Sequence, residues 1–346
     1  MRVLITGLCG FIGHHVAEHL LEATDWELVG LDRIDATSTL HRLRHLECWP
    51  ECGKRVTFVW HDLRAPINTT VDRQLGEVDA VLHLAASTHV DRSITEPLMF
   101  VHDNVLGTAH LLEWWRERVR IVKRTTFMME DERAADPFFL YYGTDEVFGP
   151  AEVGQNFKEW DRYRSTNPYS ASKAGGEELT CAYSNTYNLS ACATHCMNII
   201  GERQHPEKFI PMTIRKILNG ELVTIHADAT GKTASSRFYT YVGNIGPALK
   251  WIIDDAATQS RFEKWNLVGE REIDNLELCQ HIARIVGKPL KYELVSFAMS
   301  RPGHDFRYSL DGAKLKEAGF AYPYTFEQGI ERTVKWFLDH RDWLEG

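Results

Sequence analysis

The sequence predicts an α/β protein: a Rossmann-type doubly wound parallel sheet with a smaller mixed α/β substrate domain. A β-branched strand, residues 2–6, runs into a glycine turn that opens a helix. Apolar strands then alternate with helical stretches through the first half of the chain, which is the order of a parallel sheet covered by helices. The 346 residues, 44% of them hydrophobic, suffice for one large or two closely packed domains.

The glycine turn after the first strand is the first candidate cofactor site. Its glycines let the backbone approach a pyrophosphate and let the helix, expected to run to Leu21, pack on the strand. The helix N-terminus offers free N–H groups and a positive dipole end to that anion. The spacing alone is a weak signal, but the strand–glycine–helix context that it requires is present. The predicted cofactor contacts in this turn are Gly7, Gly10, Phe11, Ile12 and Gly13.

The second strand, residues 26–31, ends at Asp32. A carboxylate there accepts hydrogen bonds from the adenosine ribose hydroxyls and repels a 2′-phosphate, so it favours NAD over NADP. Arg33 is a counter-signal, because an arginine accommodates a 2′-phosphate. The third and fourth strands, residues 56–60 and 78–84, also end in predicted cofactor contacts. These are Asp62, Leu63, Leu84, Ala85 and Ala86.

Tyr169 and Lys173 are a candidate proton-transfer pair. Asn167 and Pro168 are typical of a helix cap and first turn, so Tyr169 and Lys173 lie four apart on one helix face. A nearby ammonium stabilises a phenolate and lowers its pKa, and a tyrosinate can take a proton from a substrate hydroxyl while a nicotinamide receives hydride. Taken alone, a tyrosine and a lysine four residues apart are better explained by an ordinary surface helix. Because these two follow a predicted dinucleotide-binding half of the chain, the catalytic interpretation is favoured.

Two adjacent carboxylates, Asp145 and Glu146, follow Thr144 at the end of a strand, residues 137–142. In a continuing strand they would point to opposite faces, so joint action on one substrate requires the chain to leave strand geometry, which the flanking Gly143 and Gly149 permit. Two carboxyl groups in unlike surroundings suit a reaction that removes one proton and delivers another. In isolation, an acidic surface loop is an equally good interpretation.

Charge and composition narrow the function classes. The net charge of −9 argues against a nucleic-acid partner, and no apolar run is long enough to span a bilayer. Seven scattered cysteines predict reduced thiols and a cytoplasmic protein rather than a disulfide framework. We expect no metal site, since no second ligand pair at zinc spacing follows Cys48 and Cys52 or Cys192 and Cys196.

Several motifs together resemble the extended short-chain dehydrogenase/reductases, and more narrowly the nucleotide-sugar 4,6-dehydratases of the dTDP-glucose 4,6-dehydratase type. The resemblance runs nearly end to end. It is carried by the glycine turn and by the segments 83–86, 89–93, 144–147, 169–174, 206–211 and 301–305. The Asp–Glu pair separates these dehydratases from related 4-epimerases, which usually carry small or hydroxyl residues there.

The resemblance implies a role for each catalytic residue. Tyr169, poised by Lys173, takes the proton of the sugar 4-hydroxyl while hydride passes to NAD, and Thr144 hydrogen-bonds to the same oxygen. Glu146 removes the C5 proton, and Asp145 protonates the departing 6-hydroxyl. Hydride return to C6 leaves a 4-keto-6-deoxy sugar and regenerates NAD.

The resemblance also implies a set of substrate contacts: His89, Asn198, Lys208, Arg237, Arg301 and His304. Arginines suit a diphosphate because their fork is bidentate and permanently charged. Two features depart from the family pattern: Ile199 and Ile200 replace polar or aromatic residues, and the segment 226–236 is longer than its counterpart. The nucleotide base and the hexose therefore stay open, with dTDP-glucose the favoured substrate.

The predicted domains are residues 1–180 for NAD and 181–346 for the nucleotide sugar, with segments near 237–255 returning to the first. We expect residues 119–136 to be an irregular surface excursion and residues 326–344 to form a helix that packs through Trp336 and Phe337. The resemblance implies a homodimer that pairs helices near 100–116 and 169–187. An epimerase, another nucleotide-sugar enzyme and a non-catalytic NAD-binding regulator are the alternatives.

Overall fold

The structure, a computed structural model, describes residues 1–35, 37–129, 137–228, 230–256, 262–296 and 307–345. Its strands are β1 Arg2–Thr6, β2 Glu27–Asp32, β3 Val56–Trp60, β4 Ala80–His83, β5 Phe138–Thr144, β6 Ser190–Cys196, β7 Asn198–Ile200, β8 Leu222–Ala227, β9 Ser236–Tyr241, β10 Glu263–Leu267, β11 Glu272–Asp274 and β12 Lys291–Ser296.

The α-helices alternate with these strands through most of the chain. They are α1 Phe11–Ala23, α2 Leu40–Arg44, α3 Trp49–Cys52, α4 Thr69–Leu75, α5 Val90–Thr95, α6 Pro97–Phe100, α7 Gly107–Met129, α8 Pro168–Tyr187, α9 Phe209–Asn219, α10 Ile245–Ala256, α11 Asn275–Val286, α12 Ala313–Glu317 and α13 Phe326–Asp339. A π-helix, Val101–Leu106, leads into α7, and short 3₁₀ turns occupy Gly53–Arg55, Asp145–Phe148, Val242–Asn244 and Arg341–Leu344.

Seven parallel strands form the central sheet, in the order β10-β6-β5-β4-β1-β2-β3. Successive residues of β1 enter opposite cores: Val3 and Ile5 pack on one face and Leu4 on the other. Helices cover both faces, so the inner strands β1, β4 and β5 are largely apolar, as a doubly wound sheet requires. The strand order reverses between β1 and β4, which places a crevice at their carboxyl ends. The predicted fold class is confirmed.

A smaller mixed α/β region packs beside this sheet. It contains the three strands β11-β9-β7, the parallel pair β12-β8, and a core shared by α9, α11 and α13. Phe337 is fully buried in that core and Trp336 packs at its margin, as expected, but the helix ends at Asp339 rather than at 344. Strands β6 and β10, from beyond residue 180, pair within the central sheet. The predicted domain limits stay a prediction, but the sheet draws on both of the predicted segments.

Two sequence expectations are wrong. Residues 119–129 are not irregular, because α7 continues to Met129; the excursion's remainder lies outside the described residues. The prediction of reduced thiols fails at Cys48 and Cys52, which are joined by a disulfide. Their positions four apart around a short helix bring the two Cα atoms to 5.7 Å. The other five cysteines are free. Among the described helices, none has both the length and the apolar character needed to cross a membrane.

Candidate active site

A cleft of about 520 Å³ lies at the carboxyl ends of the central strands. It collects residues that are far apart in sequence, because parallel strands all end at the same edge of the sheet. Every predicted site residue that the structure describes lines it: Gly7, Gly10, Phe11, Ile12, Gly13, Asp32, Asp62, Leu63, Leu84, Ala85, Ala86, His89, Thr144, Asp145, Glu146, Tyr169, Lys173, Asn198, Lys208 and Arg237. The other two, Arg301 and His304, lie outside the described residues.

The glycine turn has no room for side chains at two of its positions. Gly7 has a φ of +72°, and a Cβ there would lie 2.9 Å from the Ala85 backbone. A Cβ on Gly13 would lie 2.1 Å from the carbonyl oxygen of Gly7. The turn therefore lies tightly against the end of β4 and leaves the N-terminus of α1 open towards the cleft.

Asp32 holds the edge of this turn in place. One carboxylate oxygen accepts a hydrogen bond from the Cys9 amide at 3.0 Å, and the other accepts from the Ile34 amide at 2.9 Å and the Ser38 hydroxyl at 3.1 Å. The carboxylate is buried at the end of β2 and lines the cleft. Its position fits a ribose acceptor, since each carboxylate oxygen has more than one lone pair.

Arg33 does not offer a free cation to a 2′-phosphate. Its guanidinium forms a bidentate pair with Asp103 at 2.9 and 3.0 Å and also contacts Asp35 at 3.0 Å. Asp62 lies 3.8 Å away. Three carboxylates therefore surround the arginine. They offset the preference for NADP that Arg33 suggested in the sequence, and the sequence does not reveal them as its partners.

The carboxylate pair lies where β5 ends. Asp145 and Glu146 begin a 3₁₀ turn, so the chain leaves strand geometry there, as expected. Thr144 caps the turn: its hydroxyl donates to Asp145 at 3.2 Å and accepts from the Glu146 amide at 3.4 Å. Gly149 closes the turn with a φ of +75°. Gly143 instead lies within β5, where a Cβ would meet the Thr194 carbonyl oxygen at 2.4 Å.

Asp145 has the surroundings of a general acid. It is buried, and burial together with the neighbouring charge of Glu146 raises the pKa of its carboxyl to about 8. Thr144 and the charge of Arg237 oppose that rise. Its second oxygen, Oδ2, is buried without a hydrogen-bond partner among the described residues. A carboxyl group in this environment keeps its proton at neutral pH and can deliver it.

Glu146 lies in more polar surroundings than its neighbour. It is half-buried, and its Oε2 accepts hydrogen bonds from the Asn167 amide and the Tyr308 hydroxyl, both at 3.4 Å. Hydrogen bonds that favour the charged form suit a base. The two carboxylates are therefore adjacent in sequence but held in unlike environments.

Tyr169 and Lys173 lie in the first turns of α8, which begins with the predicted Asn167 cap. Thr144 and Tyr169 both line the cleft beside the carboxylate pair. Lys173 donates to the Tyr142 carbonyl oxygen at 2.7 Å and lies 4.3 Å from the centre of the Tyr141 ring. Burial lowers the pKa of Lys173 to about 7, which Glu177 opposes.

The expected lowering of the Tyr169 pKa is wrong for the chain alone. Burial, with the charge of Glu146, instead raises the pKa of this phenol above its ordinary value. Burial of the phenol is the main cause, and the Lys173 ammonium instead donates to the Tyr142 carbonyl oxygen and lies over the Tyr141 ring. Tyr169 therefore keeps its proton at neutral pH before any ligand arrives.

The predicted substrate residues that the structure describes line the same cleft as the carboxylate pair. The Arg237 guanidinium stacks 4.7 Å from the centre of the Tyr308 ring, and Tyr308 in turn contacts Glu146. The Nδ1 atom of His89 is buried in the cleft wall without a hydrogen-bond partner among the described residues. Their roles in binding stay a prediction.

Comparison with known proteins places this geometry in a family. A family model described as GDP-mannose 4,6 dehydratase matches residues 4–333. The chain belongs to the GDP-mannose 4,6 dehydratase family. A dTDP-glucose 4,6-dehydratase of Escherichia coli is 33% identical over 360 residues, covering 100% of this chain and 95% of the relative. One from Xanthomonas campestris pv. campestris is 36% identical over 355 residues, covering 99% and 95%.

Solved structures of similar proteins share the whole fold of this dehydratase-family chain. The dTDP-glucose 4,6-dehydratase DesIV of Streptomyces venezuelae, crystallised with NAD, superposes with a TM-score of 0.84 at 30% identity, covering 100% of this chain and 99% of the other. The UDP-glucose 4-epimerase of Thermus thermophilus, also with NAD, gives 0.82 at 26% identity, covering 98% and 99%. The fold is thus shared by dehydratases and epimerases.

Several residues of the active site were not predicted from the sequence. Tyr308 and the side chain of Asn167 contact Glu146, and Asp103 pairs with Arg33. The cap position of Asn167 was a usable signal for the start of α8. Nothing near Tyr308 or Asp103 in the sequence marks them, because both reach the site through long-range packing.

Proposed function

We propose that this protein is an NAD-dependent nucleotide-sugar 4,6-dehydratase that converts an NDP-hexose, in the first instance dTDP-glucose, to the NDP-4-keto-6-deoxyhexose. The single observation that carries the proposal is the Asp145–Glu146 pair. The two carboxyl groups share one turn, face one cleft, and lie in unlike surroundings. Elimination of water needs one group to take a proton and another to give one.

The cleft fits NAD. The glycine turn cannot hold side chains at Gly7 and Gly13, which leaves the backbone free to lie against a pyrophosphate, and Asp32 is placed for a ribose. Arg33, enclosed by carboxylates, is not available to a 2′-phosphate. When bound, NAD supplies a hydride acceptor for C4 and a hydride donor for C6.

The residues of the chain move the protons. Tyr169 receives the proton of the 4-hydroxyl, with Thr144 at the same oxygen and Lys173 one helical turn further along α8. The resulting 4-ketone acidifies the C5 hydrogen, which Glu146 removes as a proton. Asp145 protonates the 6-hydroxyl as its C6–O bond breaks, so one water leaves. Glu146 returns its proton to C5 when hydride reaches C6, and the product is the 4-keto-6-deoxy sugar.

The Tyr169 phenol must release its own proton to solvent before it accepts another, and Asp145 regains from solvent the proton that leaves with water. The raised pKa of this phenol in the chain alone arises from burial and Glu146. We infer that the bound ligands, including the cationic nicotinamide ring that oxidised NAD would bring, would favour the phenolate. Tyr169 is therefore protonated in the ligand-free protein, and the base is generated in the complex.

A panel of dTDP-, UDP-, GDP- and CDP-hexoses tests the proposal. We expect loss of one water and a 4-keto product from at least one of them, dTDP-glucose first, without added NADH. An exchange of configuration at C4 with the C6 oxygen retained would instead establish an epimerase, which the Thermus thermophilus neighbour makes the second candidate. No turnover with any of the four, together with NAD binding, would favour a non-catalytic regulator.

A homodimer and a cytoplasmic location belong to the same proposal. Large apolar side chains are exposed around the start of α7 beside α8: Leu98 at 71%, Val101 at 46% and Leu106 at 38%. Trp114 and Trp115 do not contribute to this patch, since both are buried in the monomer core. Sedimentation at micromolar concentration should give a dimer, and Leu98→Glu should shift it towards monomer. The location is proposed from the five free cysteines, whereas the Cys48–Cys52 disulfide is unusual for a cytoplasmic protein.

A further inference from the structure

A buried polar network connects the cofactor turn to the loop that carries substrate residues. The loop is residues 201–208, which follow β7 and end at Lys208, and Gln204, His205 and Lys208 of this loop line the cleft. It packs against the first residue of α1: a Cβ on Gly201 would lie 3.4 Å from the Phe11 ring. The centre of the network is Arg203, which is only 7% exposed.

The Arg203 side chain reaches across to α1. Its Nε donates to Nε2 of His14 at 2.9 Å, and its NH2 group contacts Glu18 at 3.0 Å and Nδ1 of His15 at 3.3 Å. A fourth contact reaches the His45 carbonyl oxygen at 3.4 Å. An arginine provides five donors in a fixed fork, and this one uses them on groups of the cofactor-binding half.

Each of the two histidines links Arg203 to one backbone carbonyl oxygen. A guanidinium can only donate, so the Nε2 atom of His14 accepts, and its Nδ1–H donates to the Gly10 carbonyl oxygen at 2.7 Å. By the same reasoning, Nδ1 of His15 accepts and its Nε2–H donates to the Glu202 carbonyl oxygen at 2.9 Å. Gly10 belongs to the cofactor turn and Glu202 to the substrate loop, so the hydrogen bonds of the network link the turn to the loop.

A second arginine closes the network from the opposite side. Arg42, also buried, donates from Nε to the Arg203 carbonyl oxygen at 3.3 Å and from NH1 to the Cys9 carbonyl oxygen at 3.1 Å. Arg203 itself has a φ of +61°, an unfavourable conformation for a non-glycine residue. Such a conformation persists when the surrounding contacts over-determine it, and it marks positions with a functional constraint.

We propose that Arg203 is a positioning residue that holds the cofactor turn and the substrate loop in register, so that each ligand site is formed correctly only while the network is intact. The inference rests on the proposed function, which places NAD at the turn and the nucleotide sugar at the loop. The proton-transfer roles of Asp145 and Glu146 do not depend on it.

The variant Arg203→Met tests this inference with NAD and dTDP as separate probes. Calorimetric titration of cofactor-free protein should show the Kd of NAD and the Kd of dTDP each rising about tenfold or more, the loss typical of a charge-assisted contact. The NAD retained through purification should fall. The kcat at saturating NAD and dTDP-glucose should stay within about threefold, because nothing that touches the reacting atoms has changed.

Matched variants separate positioning from a general loss of stability. Arg332→Met is the control, since Arg332 contacts Glu202 and Tyr241 from the exposed side and does not reach α1. It should leave both Kd values within about twofold of wild type. His14→Phe keeps a ring but removes both of its hydrogen bonds, so it should raise both Kd values. It supplies the test should Arg203→Met fail to fold.

The outcomes are distinct. A folded Arg203→Met or His14→Phe protein with both Kd values unchanged, or with only one of the two raised, would overturn the inference while the proposed function stands. Wild-type protein that bound neither NAD nor dTDP would overturn the proposed function and this inference with it.

Discussion

Asp145 and Glu146 are consecutive residues of one turn, yet Asp145 is buried with a carboxyl pKa raised to about 8 while Glu146 is half-buried and accepts hydrogen bonds from Asn167 and Tyr308. Strand geometry would separate them onto opposite faces of the sheet; the 3₁₀ turn brings both to the cleft. Their environments set the direction of proton transfer, which makes the pair the feature to perturb first.

Replacement of Asp145 by Asn should abolish elimination but leave the earlier steps. We expect kcat to fall by about 10²–10⁴-fold, the usual contribution of a general acid. In D₂O, recovered dTDP-glucose should still gain deuterium at C5, because Glu146 remains. Mass spectrometry of the recovered substrate checks this, with exposed Glu152→Gln as the control. Wild-type turnover by Asp145→Asn would remove the acid from the proposal.

Replacement of Glu146 by Gln should block proton exchange at C5, which Asp145→Asn leaves intact. The fall in kcat should be similar, about 10²–10⁴-fold, but recovered dTDP-glucose should carry no deuterium at C5 because the base is missing. Asn167 and Tyr308 still have a hydrogen-bonding partner in Gln, so folding should be preserved. Deuterium uptake at the wild-type rate would assign the C5 proton to another group.

Stability should depend on pH through Asp145. Its folded pKa, about 8, lies above the ordinary value of 3.8, so the folded state binds more protons between these values and loses stability as pH rises through that window. Asp145→Asn removes the effect. Its gain in unfolding free energy over wild type should grow between pH 5 and pH 8 by at least about 1.4 kcal/mol, one pKa unit. Urea unfolding of cofactor-free protein measures it; a pH-independent difference would contradict the raised pKa.

Cofactor preference should depend on Asp103. This carboxylate binds both ends of the Arg33 fork, so Asp103→Asn leaves Arg33 freer to meet a 2′-phosphate. The ratio of the NADP and NAD dissociation constants should fall about tenfold, the worth of one modest charge contact. Fluorescence titration with both cofactors gives the ratio. An unchanged ratio would mean that Asp32 alone sets the preference.

The elements that local signals define were predictable from the sequence. The glycine turn, the Asn167 cap and the end of β5 each depend on residues within a few positions of one another. Contacts across the fold were not: Asp103 reaches Arg33 over 70 positions, and Tyr308 reaches Glu146 over 162. The charged residues after Val119 suggested a loop, but α7 continues to Met129. The disulfide of Cys48 and Cys52 depends on a helical turn too short to recognise.

The Arg203 network shows the same limit. His14 and His15 lie in the first turn of α1, where the sequence indicates only a phosphate-binding helix, and their partner lies nearly 190 positions later. Burial of a permanent cation between two such segments becomes visible only once the fold brings them together.

The fate of the C4 hydrogen tests the central claim most directly. Purified protein should be incubated with dTDP-glucose that carries deuterium at C4, without added reductant, and the product examined by NMR and mass spectrometry. The proposed dehydratase predicts loss of one water and transfer of the deuterium to the C6 methyl group of a 4-keto-6-deoxy sugar. Deuterium that stays at C4, with the configuration there inverted and the C6 oxygen retained, would contradict it.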